Sequence, residues 1–201
     1  NGKLQQVMLS SRELDVNQLS SQAQTWINRH LVYTHGYGAC LSPVNEITPE
    51  GLPIFYMKDL PPVSSIDQRI TRPEIYFGER TNEYAIVNTK QKEFDYPKGD
   101  SNVYTNYEGQ GGIPLDSIFK RALFAFSLSD MKIFVSNLIT NESRLLINRN
   151  ITTITRRIAP FLEFDKDPYL VITEEGRMIW VQDAYTSSSK YPYSEPFYRD
   201  I

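Results

Sequence analysis

The chain has 201 residues, 40% of them hydrophobic, 12% aromatic and 22% charged, the balance of a globular domain and not of a disordered or collagen-like segment. At 23.2 kDa it should remove about 24,000 Å² from water, roughly 70% of what the extended chain exposes, so one core is feasible without a covalent staple. The net charge of −3 offers no general attraction to nucleic-acid phosphates, the single Cys rules out an internal disulfide, and two His make an all-histidine metal site implausible, so neither nucleic acid nor a metal or other cofactor is expected.

Gln5 to Ser11, containing Val7, Met8 and Leu9, suits a strand, and Arg12-Glu13-Leu14-Asp15 leads out of it. Between Val16 and Leu31, apolar side chains at Val16, Leu19, Ala23, Trp26, Ile27 and Leu31 recur mostly in steps of three and four. That spacing predicts a helix, capped by Asp15 or Asn17. Glycines and five prolines punctuate Thr34 to Pro62 and leave room for one short strand at Ile54 to Met57. Two hairpins are expected: Ile75-Tyr76-Phe77 with Tyr84 to Val87 around Gly78 to Asn82, and Tyr169 to Ile172 with Met178 to Val181 around Glu174-Glu175-Gly176.

A helix should follow Pro114, its stripe of Leu115, Ile118, Phe119, Ala122, Leu123 and Phe126 turned to the core, with Asp116 placed four residues before Lys120. Ile147, Ile151, Ile154 and Ile158 repeat at four, three and four, which predicts a last helix from Asn141 to Ile158, closed by Pro160. These elements make an α+β domain: a mixed or antiparallel sheet with hairpins, packed by about three amphipathic helices. One soluble domain is expected over 1–201, with a Tyr/Ser/Pro-rich tail from 185 to 201. No apolar run is long enough to span a bilayer, and a chain opening on Asn1 without Met and closing on Ile201 reads as a piece of a larger product.

Several places could carry chemistry. Thr34-His35-Gly36-Tyr37-Gly38 presents an imidazole on a bendable backbone with Cys40 close by, a nucleophile-and-base pattern that competes with a hydrogen-bonded turn and a buried thiol. Gly109-Gln110-Gly111-Gly112 stands before the Pro114 helix, where free N–H groups could hold a carboxylate or phosphate. The Walker and dinucleotide spacings are missing, so a plain connection is the alternative. Asp165 and Asp167, with Glu163 and with Asp183 from the partner strand, could gather around a hard cation or act on a glycoside, or form a solvated turn. Arg144 opens a basic series with Arg149, Arg156 and Arg157 that could fork onto an anion or pair internally. Tyr104, Tyr107 and Tyr191 belong to a Tyr-rich set able to stack on sugars, anchor an interface or cover a core edge.

Read together, Arg12-Glu13-Leu14-Asp15, Trp26-Ile27-Asn28, Tyr33-Thr34-His35-Gly36-Tyr37-Gly38, Glu74-Ile75-Tyr76-Phe77-Gly78-Glu79, Glu93-Phe94-Asp95-Tyr96-Pro97, Ile158-Ala159-Pro160-Phe161-Leu162 and Trp180 through Asp183-Ala184-Tyr185-Thr186 resemble bacterial uncharacterised protein family 0182 over nearly the whole chain. The resemblance implies an integral membrane protein whose spans precede a large soluble region facing away from the cytoplasm. This chain resembles part of that region, and it departs from the family in lacking every span and in stopping soon after Tyr193-Ser194. The family brings no assigned reaction and no catalytic residue. The expected role is therefore an extracytoplasmic module at the bacterial cell membrane that binds an envelope ligand or a membrane-protein partner. The rival is an envelope hydrolase or transferase acting on a glycan or phosphoanion, with Asp165, Asp167, Asp183 and His35 converging in one cleft.

Overall fold

The computed structural model describes residues 4–188 and Lys190. Strand β1 (Val7–Ser11) is followed by the short β2 (Gly36–Tyr37), β3 (Ala39–Pro43), β4 (Met57–Lys58) and β5 (Val63–Ser64). β1, β3, β4 and β5 form an antiparallel sheet in that order, with Leu9 opposite Leu41 and Leu41 opposite Met57. Alternation sends Ala39 and Leu41 into the interior. β2 pairs with β6 (Glu74–Ile75), and β7 (Ala85–Val87) precedes the hairpin of β8 (Glu93–Lys98) and β9 (Ser101–Thr105), turned at Gly99 with φ +59°. β10 (Ile113–Pro114) leads to helices α1 (Ile118–Ser127) and α2 (Lys132–Val135), then β11 (Arg144–Leu146) and helix α3 (Ile151–Ile158). β12 (Glu163–Phe164) pairs with β15 (Ala184–Tyr185), bracketing the hairpin of β13 (Tyr169–Ile172) and β14 (Met178–Val181). The fold is α+β with small antiparallel sheets, and the second expected hairpin is present in full register.

Other elements differ from the periodicity. In place of one helix over Val16 to Leu31 there are 3₁₀ turns at Val16–Gln18 and Ser21–Ala23, then a π-helical turn at Asn28–Val32. Polar side chains divert the backbone: Asp15 accepts from the Asn17 N–H at 3.0 Å, and the Gln24 amide donates to the carbonyls of Asn17 and Leu19. The π turn closes with Tyr33 N–H on the Asn28 carbonyl and sends His30, Leu31 and Val32 inward. The hairpin expected over Ile75 to Val87 is not formed. β6 goes to β2 and β7 to β11, because the intervening loop is held by Glu13, whose carboxylate takes the N–H groups of Glu79 and Arg80 at 2.9 and 2.8 Å.

The helix expected from Asn141 to Ile158 is likewise two elements. Leu145 and Leu146 gain complete burial as strand residues beside Ile86 and Ala85, and α3 begins only after Asn150, whose side chain caps the Thr153 N–H. The short strand near Ile54 starts at Met57 instead. Gly36 sits against the first strand's exit: a Cβ there would lie 2.3 Å from the Arg12 carbonyl oxygen and 2.7 Å from Glu13 Cα, backbone atoms that cannot step aside. Gly36→Ala is expected to cost about 2 kcal/mol in urea unfolding, and a loss below roughly 0.5 kcal/mol would show that this crossing is not a tight contact.

The core joins Leu31, Ile86, Leu115, Ala125, Ile133, Ile139 and Leu145, with Trp26, Tyr84, Phe124 and Leu128 packed around it. Helix α1 reaches this core with Phe124, Ala125 and Leu128, and not with its apolar stripe. Apart from Leu115, which precedes the helix and is buried, the stripe faces out: Phe119 is 76% and Phe126 85% exposed, and Ile118, Ala122 and Leu123 are exposed with them. Among the described residues, 24 large apolar side chains are exposed, while 16 apolar residues are buried.

Candidate functional site

The densest constellation of ionisable side chains forms where the π turn runs into β2 and meets β8. Glu93 opens β8 and is fully buried. It accepts from the Thr34 hydroxyl, from the Tyr76 phenol at 2.9 Å and from the Tyr107 backbone N–H at 3.1 Å. His35 lies between two carboxylates, with Nδ1 at 3.7 Å from Glu93 and Nε2 at 3.3 Å from Asp95. The Tyr76 ring lies 4.7 Å from His35 and the Tyr107 ring 4.8 Å from Tyr76, closing the cluster. Arg149, 5% exposed, spans the next layer: Nε donates to the Tyr76 carbonyl at 2.7 Å, Nη1 to the Glu83 carbonyl at 3.2 Å and Nη2 to the Thr34 carbonyl.

Burial drives the electrostatics. It pulls the His35 pKa down, but the hydrogen bonds and charges of Asp95 and Glu93 outweigh it, and the net displacement is upward. Burial and the neighbouring Glu93 push the Tyr76 phenol well above its ordinary range, and burial lowers Arg149 to about 10. Among the described residues, no buried polar side-chain atom lacks a partner. The His35 side chain is wholly enclosed, so the cluster ties the π turn, β6, β8 and the Tyr107 segment together and does not present a base to a diffusing substrate.

A second network surrounds the other histidine. Asp130 accepts from Tyr84 at 2.6 Å and from the Trp26 indole at 2.8 Å; His30 stacks on Tyr84 with centroids 3.9 Å apart and shares a 2.8 Å hydrogen bond with its carbonyl. Glu83 stands 3.9 Å from His30, too far for a hydrogen bond, and is paired with Arg29; burial prevails and lowers the His30 pKa. An open cleft of about 540 Å³ runs past this network, with Arg29, His30, Glu83, Asn148 and Arg157 on its walls.

The remaining candidates are dispersed. Tyr37 packs on Tyr96 at 5.0 Å, and Tyr104 is half-exposed on β9, opposite Phe94. Gly109, Gly111 and Gly112 do not form an anion-binding helix start. Their loop is clamped by Arg144, which donates to the carbonyls of Gln110, Gly111 and Gly112 at 2.8, 2.6 and 3.0 Å, so it offers oxygens inward. Helix α1 begins later, at Ile118, where Ser117 already caps the Lys120 N–H. Arg144 itself is a strand residue, not part of a helical basic face.

Asp165 and Asp183 are joined through backbone, and Asp167 N–H bonds the Asp165 carboxylate at 3.2 Å, all three being exposed. His35 contacts Glu93 and Asp95, not these aspartates, so the convergence an envelope hydrolase would need is not found. Among the described residues, no three His, Cys, Asp or Glu groups converge as metal ligands would, and no helix is long and apolar enough to cross a membrane. Cys40 is a partly buried strand residue, and Tyr191 lies outside the described residues.

The model of the uncharacterised protein family UPF0182 matches residues 1–200. The chain belongs to that family. Similar proteins include the UPF0182 proteins of Pelotomaculum thermopropionicum, 51% identical over 197 residues, and Desulforamulus reducens, 55% identical over 192, which align with 98% and 96% of this chain. That of Sulfurovum sp. is 48% identical over 198 residues, again 98% of the chain. The chain spans about a fifth of the length of these UPF0182 relatives, 21%, 21% and 22% respectively. No solved structure matches.

Glu93, Asp95, Tyr76 and Asp130 were not legible as site residues from spacing toward His35. One signal was available: Glu93-Phe94-Asp95 alternates as a strand does, which sets two carboxylates on one face. Nothing local pointed to Asp130, which meets Trp26 from 104 positions away.

Proposed function

We propose that this UPF0182 chain is a non-catalytic, extracytoplasmic module of a bacterial membrane protein, which binds a cell-envelope ligand or a protein partner. The supporting observation is its distribution of side chains: the ionisable clusters are internally satisfied, while exposed large apolar side chains outnumber buried ones, 24 to 13 among the described residues. Surfaces of that kind serve association. The β8–β9 hairpin adds an exposed aromatic ring, Tyr104, on the side opposite the Tyr96 ring that packs on Tyr37, suited to a sugar ring or a protein rim at small entropic cost.

Placement is tested by a single cysteine at Ser101, an exposed position of this hairpin, in the full-length protein with Cys40 and every other native cysteine replaced by serine. A membrane-impermeant maleimide should label it in intact cells. Labelling only after lysis would overturn the extracytoplasmic placement. Binding is tested with Tyr104→Ala, expected to weaken retention of the detergent-solubilised full-length protein on immobilised cell-envelope extract about tenfold, since one interface aromatic commonly contributes that much. Unchanged retention would remove this face from the proposal.

A further inference from the structure

The outward face of α1 has the form of a helix-docking seat. Phe119, Ala122, Leu123 and Phe126 stand at i, i+3, i+4 and i+7, with Ile118 beside them, so large side chains surround the small Ala122. Four residues in that arrangement form the hole that receives a side chain from a facing helix. Met131, ahead of α2, and Val135 extend the exposed apolar surface. Of the cations beside this face, Lys120 is paired with Asp116 at 2.8 Å and Arg121 is turned onto the Leu115 carbonyl at 3.1 Å, which leaves one exposed cation, Lys132 of α2, too few for an anionic surface.

We infer that the α1 face is covered by an apolar helix of the same polypeptide, from the part of the family's length that lies outside these 201 residues. Two observations select this occupant. First, the UPF0182 relatives are nearly five times as long as their match to this chain, so ample chain exists to supply the helix. Second, a separate sheet also has an uncovered face, at Met8 of β1 and Val63 of β5. A dimer contact or a lipid-facing patch at α1 would leave that second surface open, whereas a larger chain folded around this one covers both. The inference does not depend on which side of a membrane the protein occupies.

The test places the photo-crosslinker p-benzoylphenylalanine at Phe126, and separately at Phe119, in the full-length polypeptide, with Lys98 as an exposed control. The expected result is an adduct within one polypeptide, joining either position to a helix outside the 201 residues, in at least tenfold higher yield than from position 98. Adducts of doubled mass would assign the face to a second copy, and adducts to lipid or to another protein would assign it elsewhere; each overturns the inference. Yields equal to the control would show an open face and overturn it as well. Replacing an exposed Phe by its benzoyl derivative leaves the core untouched, and the circular dichroism of each variant checks that it is folded.

Discussion

Arg149→Ala is expected to destabilise the fold by about 3–5 kcal/mol, a large share of the roughly 5–15 kcal/mol available to a domain. The guanidinium donates to the carbonyls of Thr34, Tyr76 and Glu83, which belong to the exit of the π turn, the end of β6 and the approach to β7. Alanine leaves three buried oxygens without donors, at about 1–3 kcal/mol for each that water cannot reach. It also removes a buried cation that interacts with Glu93 through its charge. Arg149→Lys should recover only part of the loss, since one ammonium cannot hold three carbonyls in the directions a planar fork reaches. Urea unfolding at neutral pH measures both variants. A change under about 1 kcal/mol in Arg149→Ala would mean that water replaces the guanidinium at these carbonyls and that the arginine is not a structural bolt.

Local chemistry made parts of this fold readable in advance. The Tyr169–Val181 hairpin follows from two apolar runs around Gly176, whose φ of +81° only glycine adopts without strain. Helix α1 follows from its period, and Ser117 and Asn150 are the caps such positions favour. Long-range burial was not readable. Leu145 and Leu146 lie inside the span that the isoleucine period marks as helix, yet Ile86, 59 positions upstream of Leu145, draws them into a sheet. The α1 stripe was legible as a stripe, but periodicity does not say which side the core takes, and Phe124, Ala125 and Leu128 won that side. At the ionisable cluster, His35 stood out by type, whereas its two carboxylates come from 58 and 60 residues away and Arg149 from 114. Such convergence is a property of topology.

Stability should pass through a maximum near pH 6.5, because the two buried histidines are displaced in opposite directions. His35 has its folded-state pKa raised, so its contribution is complete below the unfolded value of about 6.5 and disappears as pH climbs through the higher folded value. His30 has its folded-state pKa lowered by burial, so its contribution is complete above about 6.5 and is lost as pH falls through the lower folded value. Glu93→Gln separates the two limbs. It keeps an oxygen for Thr34 and Tyr76 but removes one of the charges holding His35 protonated, and it turns an amide toward the Tyr107 N–H. The expected cost is about 3 kcal/mol at pH 6, shrinking as pH rises past the folded pKa of His35, where the wild-type imidazole is itself neutral. His30→Gln should flatten the acid limb and leave the alkaline one in place. Urea midpoints of the three proteins between pH 5 and 9 decide the matter: an alkaline limb equally steep in wild type and Glu93→Gln would show that the buried His35 pair is not its source.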